Sequence, residues 1–233
     1  MLKIVSAEFI KGAITSKQFP QTGVPEFAFF GRSNAGKSSL INMLLNRKNL
    51  VKTGSKPGMT REINFFIVNA PAKNGTARNN AGGTPQKNDT LKVFSLADLP
   101  GYGFSQVSQA ERKRIDTMLY DYCTTRPELK TMFFLMDIRR DPTAVERQTL
   151  VFFQEQGINT VLTATKADKL SKNEQIQRIT ALASFFDCGK DTIVATSSTK
   201  KTGREKLLQL LSACLTHQAV SIFFKSTFSC LLC

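Results

Sequence analysis

Eight consecutive residues, Gly31-Arg32-Ser33-Asn34-Ala35-Gly36-Lys37-Ser38, carry the spacing G-x-x-x-x-G-K-[ST]. The chemistry of such a stretch is the cradling of a polyphosphate. Backbone N–H groups and the positive end of a helix converge on one point, Lys37 reaches the outer phosphates, and the Ser38 hydroxyl completes a magnesium shell. Gly31 and Gly36 are expected to remove Cβ atoms that would block the approach. Asp98-Leu99-Pro100-Gly101 offers a carboxylate that can hold magnesium through water and a Gly101 N–H that can meet a γ-phosphate. Thr60 is placed to add a hydroxyl to the metal when the γ-phosphate is present. Thr165-Lys166-Ala167-Asp168 offers an Asp that can accept two hydrogen bonds from guanine, from N1–H and the exocyclic amine, a pair of donors that adenine lacks. The Lys166 stem can lie over the base, and Thr196-Ser197-Ser198 can offer backbone N–H groups to the guanine carbonyl. Each motif alone also reads as an ordinary turn, surface pair or helix cap. Together, in this order and each at a strand end, they would require several coincidences.

The elements that must position these residues are legible around them. Phe27-Ala28-Phe29-Phe30 is an unbroken apolar run, as a strand buried in a parallel sheet would be, and the residues after Lys37 are apolar at helical spacing. The loop therefore turns a strand into a helix. Before it, Lys3 to Ile10 reads as a short strand. After it, residues 51 to 61 read as an exposed, mobile segment from their Gly, Pro and polar content. Glu62–Val68 and Leu91–Ala97 read as strands joined by a flexible hairpin extension at 70–89, too poor in bulky apolar groups to order itself. Helices at 109–125, 143–156, 173–186 and 203–216 then alternate with strands at 131–136, 160–164 and 192–195. The expected fold class is α/β, a P-loop NTPase fold with a mostly parallel six- to seven-stranded sheet covered by helices on both faces. Ligands of such sheets bind outside the carboxyl ends of the strands, where all four motifs fall.

The bulk composition sets outer bounds. At 233 residues, the chain suits one α/β domain at 1–217 with an apolar tail at 218–233. Its 41% hydrophobic and 21% charged residues are those of a soluble globular protein. Thirty-two Lys and Arg stand against 18 Asp and Glu, formally +14, which favours polyanionic partners: nucleic acid or an anionic membrane surface. Five cysteines show no CxxC pair and no zinc spacing with the lone His217, so reduced thiols in a cytosolic compartment are expected. The first residues form no signal-peptide core, and no apolar stretch is long enough to span a bilayer. The final Cys230-Leu231-Leu232-Cys233 has the C-a-a-X shape of a prenylation site, but one short match at a chain end is weak support. A prolonged last helix or an apolar end is the plainer reading.

These residues resemble the translation-factor-related GTPases and, within them, the EngB family of ribosome-biogenesis GTPases. The likeness is carried by Gly31 to Asn42, Pro57-Gly58-Met59-Thr60, Ile63-Asn64-Phe65-Phe66, Asp98-Leu99-Pro100-Gly101-Tyr102-Gly103, Asp137-Ile138-Arg139 with Pro142, and Thr165-Lys166-Ala167-Asp168-Lys169-Leu170. It covers roughly residues 3–215, apart from 70–89. The resemblance implies GTP or GDP bound by Gly31, Arg32, Ser33, Asn34, Ala35, Gly36, Lys37, Ser38 and Ser39. It adds Gly58, Met59, Thr60 and Arg61 in the mobile segment and Glu62 at the start of the next strand, then Asp98, Leu99, Pro100 and Gly101. Thr165, Lys166, Ala167, Asp168, Thr196, Ser197 and Ser198 complete the set. Lys37, Thr60 and Gly101 would serve hydrolysis, and Ser38, Thr60 and Asp98 (through water) would serve magnesium. It further implies a cytoplasmic monomer without stable membrane association, acting on the large ribosomal subunit or its precursor through rRNA and ribosomal protein, with a link to cell division and septation.

Two positions bear on mechanism. Many GTPases place a water-orienting Gln directly after the D-x-x-G glycine; here it is Tyr102, so slow intrinsic hydrolysis is expected. Asn34 could lend a side-chain oxygen to a potassium ion beside the β- and γ-phosphates, or could simply tolerate a left-handed backbone. Rival readings are an ATP-using P-loop kinase, a GTP-holding RNA-binding module without significant turnover, and a lipid-anchored signalling GTPase that depends on Cys230.

Overall fold

A computed structural model describes residues 2–51, 62–71, 91–103 and 108–216. Thr60 and its neighbours 52–61, most of the 70–89 insertion, and the tail with Cys230 lie outside the described residues.

The elements in order are β1 (Ala7–Ala13), β2 (Glu26–Gly31), α1 (Lys37–Leu44), β3 (Ile63–Val68), β4 (Phe94–Asp98), α2 (Gln109–Thr125), β5 (Leu129–Asp137), α3 (Ala144–Glu155), β6 (Asn159–Thr165), α4 (Lys172–Phe186), β7 (Val194–Ala195) and α5 (Arg204–Leu215). They build one seven-stranded sheet in the order β1-β3-β4-β2-β5-β6-β7. β2 pairs in parallel with β4 and β5, β5 with β6, and β6 with β7; β3 runs antiparallel to both β1 and β4. The sheet is therefore α/β and mostly parallel, with an antiparallel edge, as expected from strands alternating with helices after Leu129.

Period-two side-chain alternation divides the interior into two layers. Phe27 and Phe29 of β2 join Phe133 and Leu135 of β5 on one face, under α1 (Leu40, Ile41, Leu44) and α5 (Leu207, Leu211). Ala28 and Phe30 join Met132 and Phe134 on the other, under Met118 of α2, Leu150 and Phe153 of α3 and Leu182 of α4. Phe29 and Phe133 stack at 4.9 Å across neighbouring strands. Each such buried ring contributes on the order of 1.5–3 kcal/mol. Because β2 lies at the centre, the loop that leaves it is mounted on a strand paired on both sides.

The ends differ from expectation. Lys3 to Ser6 is not strand: the Asn69 side chain accepts from Val5 N (2.8 Å) and donates to Lys3 O (2.7 Å), holding this stretch by one amide while the ladder starts at Ala7. β7 is two residues long because Lys190–Thr192 coils into a helical turn, and the Thr192 hydroxyl donates to Gly189 O (2.5 Å).

Candidate functional site

The phosphate loop hangs between the last residue of β2 and the first turn of α1. Asn34 (φ 64°) and Gly36 (φ 92°) both adopt the left-handed conformation, which bends the chain so that consecutive N–H groups turn inward. Ala35 N donates to Arg32 O (3.0 Å) and Leu40 N to Gly36 O (2.9 Å). The amides of Asn34, Gly36, Lys37, Ser38 and Ser39 have no acceptor among the described residues. Helix geometry orphans the first donors of α1, and here no side chain caps them. Five unpaired donors around one point are a nest for an anion. The roles expected of the two glycines separate. A Cβ on Gly36 would strain a positive φ, but a Cβ on Gly31 would lie 2.4 Å from Leu135 O. Gly31 is thus required by its β5 neighbour in the sheet, a correction to the expectation that it clears room for the ligand.

Two other strand ends close on this loop. Asp98, the last residue of β4 and 1% exposed, accepts from Lys37 Nζ at 2.5 Å through Oδ1. Its Oδ2 is buried with no partner among the described residues. Gly101 lies directly on the loop: a Cβ there would sit 2.9 Å from Gly31 O and 3.0 Å from Ser33 N. Leu99 N donates to Phe29 O (3.1 Å), and the Leu99 side chain is buried, which anchors the D-x-x-G turn from below.

The loop after β6 reaches across from the other side. The Thr165 hydroxyl lies 2.5 Å from Ala35 O and 3.0 Å from Met136 O. Lys166, left-handed at φ 60°, runs its stem past Gly36 and donates from Nζ to Asn34 O (2.6 Å). The same ammonium pairs with Asp137 Oδ2 (3.0 Å), which Arg139 also grips through two nitrogens. Burial opposes ionisation of Asp137, yet the hydrogen bonds from Arg139 and Lys166 outweigh it and hold the carboxyl well below its ordinary range. Asp168 accepts from the Ser197 hydroxyl (2.6 Å), and that bond is the main reason its carboxyl is held below the usual range. Ser197 Oγ in turn accepts from Lys200 N (3.0 Å) within its own loop, and Ala167 N donates to Thr196 O (3.0 Å), a second link between the two base-side loops.

The amides proposed for a guanine carbonyl do not all remain open. Thr196 N donates to Ala164 O (2.7 Å) and Ser197 N to Thr202 O (3.2 Å), leaving the Ser198 N–H without an acceptor among the described residues. Tyr102 is turned away from the loop. Its ring packs on Phe30 (5.4 Å) and its hydroxyl donates to Glu146 Oε1 (2.6 Å). Burial, then Glu146, push its pKa well above the ordinary phenol range. Glu146 was not foreseen as part of the site. Thr143-x-x-Glu146 has the spacing of a capping box, which it forms, but nothing in the sequence ties it to Tyr102. Gly58, Met59, Thr60 and Arg61 lie outside the described residues. Glu62 is described, and its carboxylate lies over Gly12 at the far edge of the sheet.

Comparison with known proteins decides the family. Residues 26–166 match the family model described as "50S ribosome-binding GTPase". The chain is 54% identical over 214 residues to the probable GTP-binding protein EngB of Treponema denticola, covering 91% of this chain and 99% of that one. The chain belongs to the EngB family of GTP-binding proteins. A relative from Desulforapulum autotrophicum is 40% identical over 212 residues, covering 91% and 98% of the two chains. Among solved structures, a probable GTP-binding protein EngB superposes with a TM-score of 0.59 at 23% identity, over 82% of this chain and 98% of that one, a likeness of fold. Era from Aquifex aeolicus, bound to GDP and AlF4-, gives a TM-score of 0.59 at 18% identity over 81% and 56%. As an EngB-family protein the chain is a GTPase. No helix among its described residues is long and apolar enough to cross a membrane.

Proposed function

We propose that this GTPase is a magnesium-dependent switch in the assembly of the large ribosomal subunit, acting on its rRNA or ribosomal protein in the cytoplasm. The observation that carries the nucleotide assignment is the row of unpaired amides at the head of α1, closed in by Lys37, Asp98 and Gly101. The orphaned Oδ2 of Asp98 fits a water-bridged cation, and no group of three His, Cys, Asp or Glu that could hold a metal occurs among the described residues. Ser38, Thr60 and, through water, Asp98 would hold magnesium together with the nucleotide, and the ion would offset phosphate charge. Lys37 exchanges its Asp98 contact for the outer phosphates, Gly101 N–H meets the γ-phosphate, and Asp168 with Ser198 N–H reads guanine. Tyr102, half-buried with its hydroxyl tied to Glu146, has no amide to orient a water, so intrinsic turnover is slow and is accelerated by something outside the chain. The family model's description and the +14 charge support the ribosomal partner; the link to division and septation rests on family likeness.

Co-sedimentation with large subunits in GTP, in GDP and without nucleotide is the test. Binding is expected to be tighter with GTP and to weaken steeply with salt through counterion release. Binding that ignores both would refute the switch. Retention on RNA with no measurable phosphate release would favour a GTP-holding RNA-binding module instead.

Potassium is proposed as a second cofactor. Asn34 is exposed, its side chain makes no hydrogen bond among the described residues, and its carbonyl is taken by Lys166. The free side-chain oxygen is thus open to a monovalent cation beside the phosphates. Turnover is expected to be faster in potassium than in sodium, with the difference lost in Asn34→Ala. Equal rates in the two salts would leave Asn34 the simpler role of accepting a left-handed backbone.

A further inference from the structure

The D-x-x-G turn does not hold its place by its own backbone alone. Tyr102, the residue after Gly101, lies beside Arg32 as a parallel bridge. Its N–H donates to Gly31 O (3.3 Å) and its carbonyl accepts from Ser33 N (2.8 Å), so Gly101 rests on the phosphate loop in whatever register Tyr102 sets. What sets Tyr102 is its side chain. The ring packs beside Phe30 (5.4 Å) and Phe134 (6.5 Å), and the hydroxyl is tied at 2.6 Å to Oε1 of Glu146, itself 5% exposed. Glu146 cannot drift. Its Oε2 accepts from Thr143 N (2.8 Å) and from the Thr143 hydroxyl (2.5 Å) at the first turn of α3. One carboxylate thus fastens a helix start with one oxygen and a loop residue with the other.

We propose that Glu146 is a positioning residue for GTP turnover, fixing through the Tyr102 hydroxyl where Gly101 stands against the phosphate loop. This rests on the reading that Gly101 N–H meets the γ-phosphate. In this role Glu146 acts on Tyr102 rather than on the nucleotide, and its effect passes through one hydrogen bond. GDP has no γ-phosphate, so its affinity does not depend on Gly101; GTP affinity and the hydrolytic step do. The packing of Tyr102 serves the fold whether or not its hydroxyl is bonded, so the bond and the ring can be separated by substitution.

Tyr102→Phe keeps the ring and removes the bond; Glu146→Ala removes the acceptor, and Glu146→Gln returns an acceptor oxygen. Thr143→Ala removes the hydroxyl that caps Val145 N at the start of α3 but keeps the backbone N–H at 143 that holds Glu146 Oε2, so the Tyr102 bond stays in place. GDP affinity, GTP affinity, single-turnover rate and melting temperature are measured for each. Tyr102→Phe and Glu146→Ala are expected to slow single turnover by about 10- to 100-fold, the scale of a misplaced group. GDP affinity should be unchanged in both, and Glu146→Gln should recover most of the rate. Thr143→Ala should lower the melting temperature and leave the rate alone. A normal rate in Tyr102→Phe, or a loss in Thr143→Ala equal to that in Glu146→Ala, would overturn the proposal. Gly101→Ala separates the two levels: if it turns over normally, the γ-phosphate reading falls and the positioning role with it. If it is slow while Tyr102→Phe is normal, the positioning role alone falls.

Discussion

Asp168→Asn is expected to lower GTP affinity by roughly ten- to several-hundred-fold and to create a preference for xanthosine triphosphate. An ionised carboxylate offers acceptors only, matching the two donors on guanine's edge. The amide of Asn would present a donor to one of those donors. A buried mismatch of this kind costs on the order of 1–3 kcal/mol, more when a charge-assisted bond is lost, at about 1.4 kcal/mol per decade of affinity. Xanthine carries a carbonyl where guanine has its amine, so the new amide finds an acceptor there. The local fold should survive, because Asn retains an oxygen for the Ser197 hydroxyl that now binds Oδ1 at 2.6 Å. Asp168 is mounted for this role, its side chain 7% exposed and its ionised form favoured first by Ser197. Titration of both nucleotides into both proteins checks the prediction. A variant that still prefers GTP would withdraw Asp168 as the base reader.

Arg126→Met is expected to destabilise the fold by about 3–5 kcal/mol and to leave nucleotide affinity intact. Glu26, the first residue of β2, is fully buried. It accepts from Arg126 through Nε (3.0 Å) and Nη2 (2.8 Å), from the Tyr122 hydroxyl (2.8 Å) and from the Ser95 hydroxyl (3.0 Å). Arg126 also donates to Pro20 O (2.9 Å) and lies over the Phe65 ring at 5.4 Å. Burial works against charge on Arg126, but the contacts with Glu26 outweigh it and hold the guanidinium protonated. Removing one partner strands the other charge in the interior, which is the costly step; replacing both with apolar residues of similar size is often neutral. Thermal unfolding should therefore drop by about 6–20 °C, at about 2–4 °C per kcal/mol for a domain of this size. Glu26→Leu combined with Arg126→Met should recover much of it. The binding site is spared because Glu26 and Gly31 are opposite ends of one strand, about 17 Å apart at 3.3 Å per residue. An unchanged melting temperature in Arg126→Met would show that the network adds nothing to stability.

The sequence by itself determined the sheet and the ligand class. Apolar runs of period two or 3.6 need no distant information, so α2, expected at 109–125, is found at Gln109–Thr125, and the strands of the central sheet fall where their side chains must be buried. The phosphate loop is equally local: two left-handed residues and a helix start make an anion nest whatever lies around them. What only the tertiary structure decided are matters of who stands opposite whom. Gly31 is glycine for the sake of Leu135 O, one strand away. Two of the three amides in Thr196-Ser197-Ser198 are already bound to Ala164 and Thr202. The Thr165 hydroxyl stands against Ala35 O, 130 residues earlier. Glu26 with Arg126, and Tyr102 with Glu146, are 100 and 44 residues apart. A buried carboxylate and its partner leave no periodicity in sequence, since any loop may bring the second group. Chain connectivity thus writes local geometry into neighbouring residues, whereas the pairing of distant polar groups appears only when packing has closed around them.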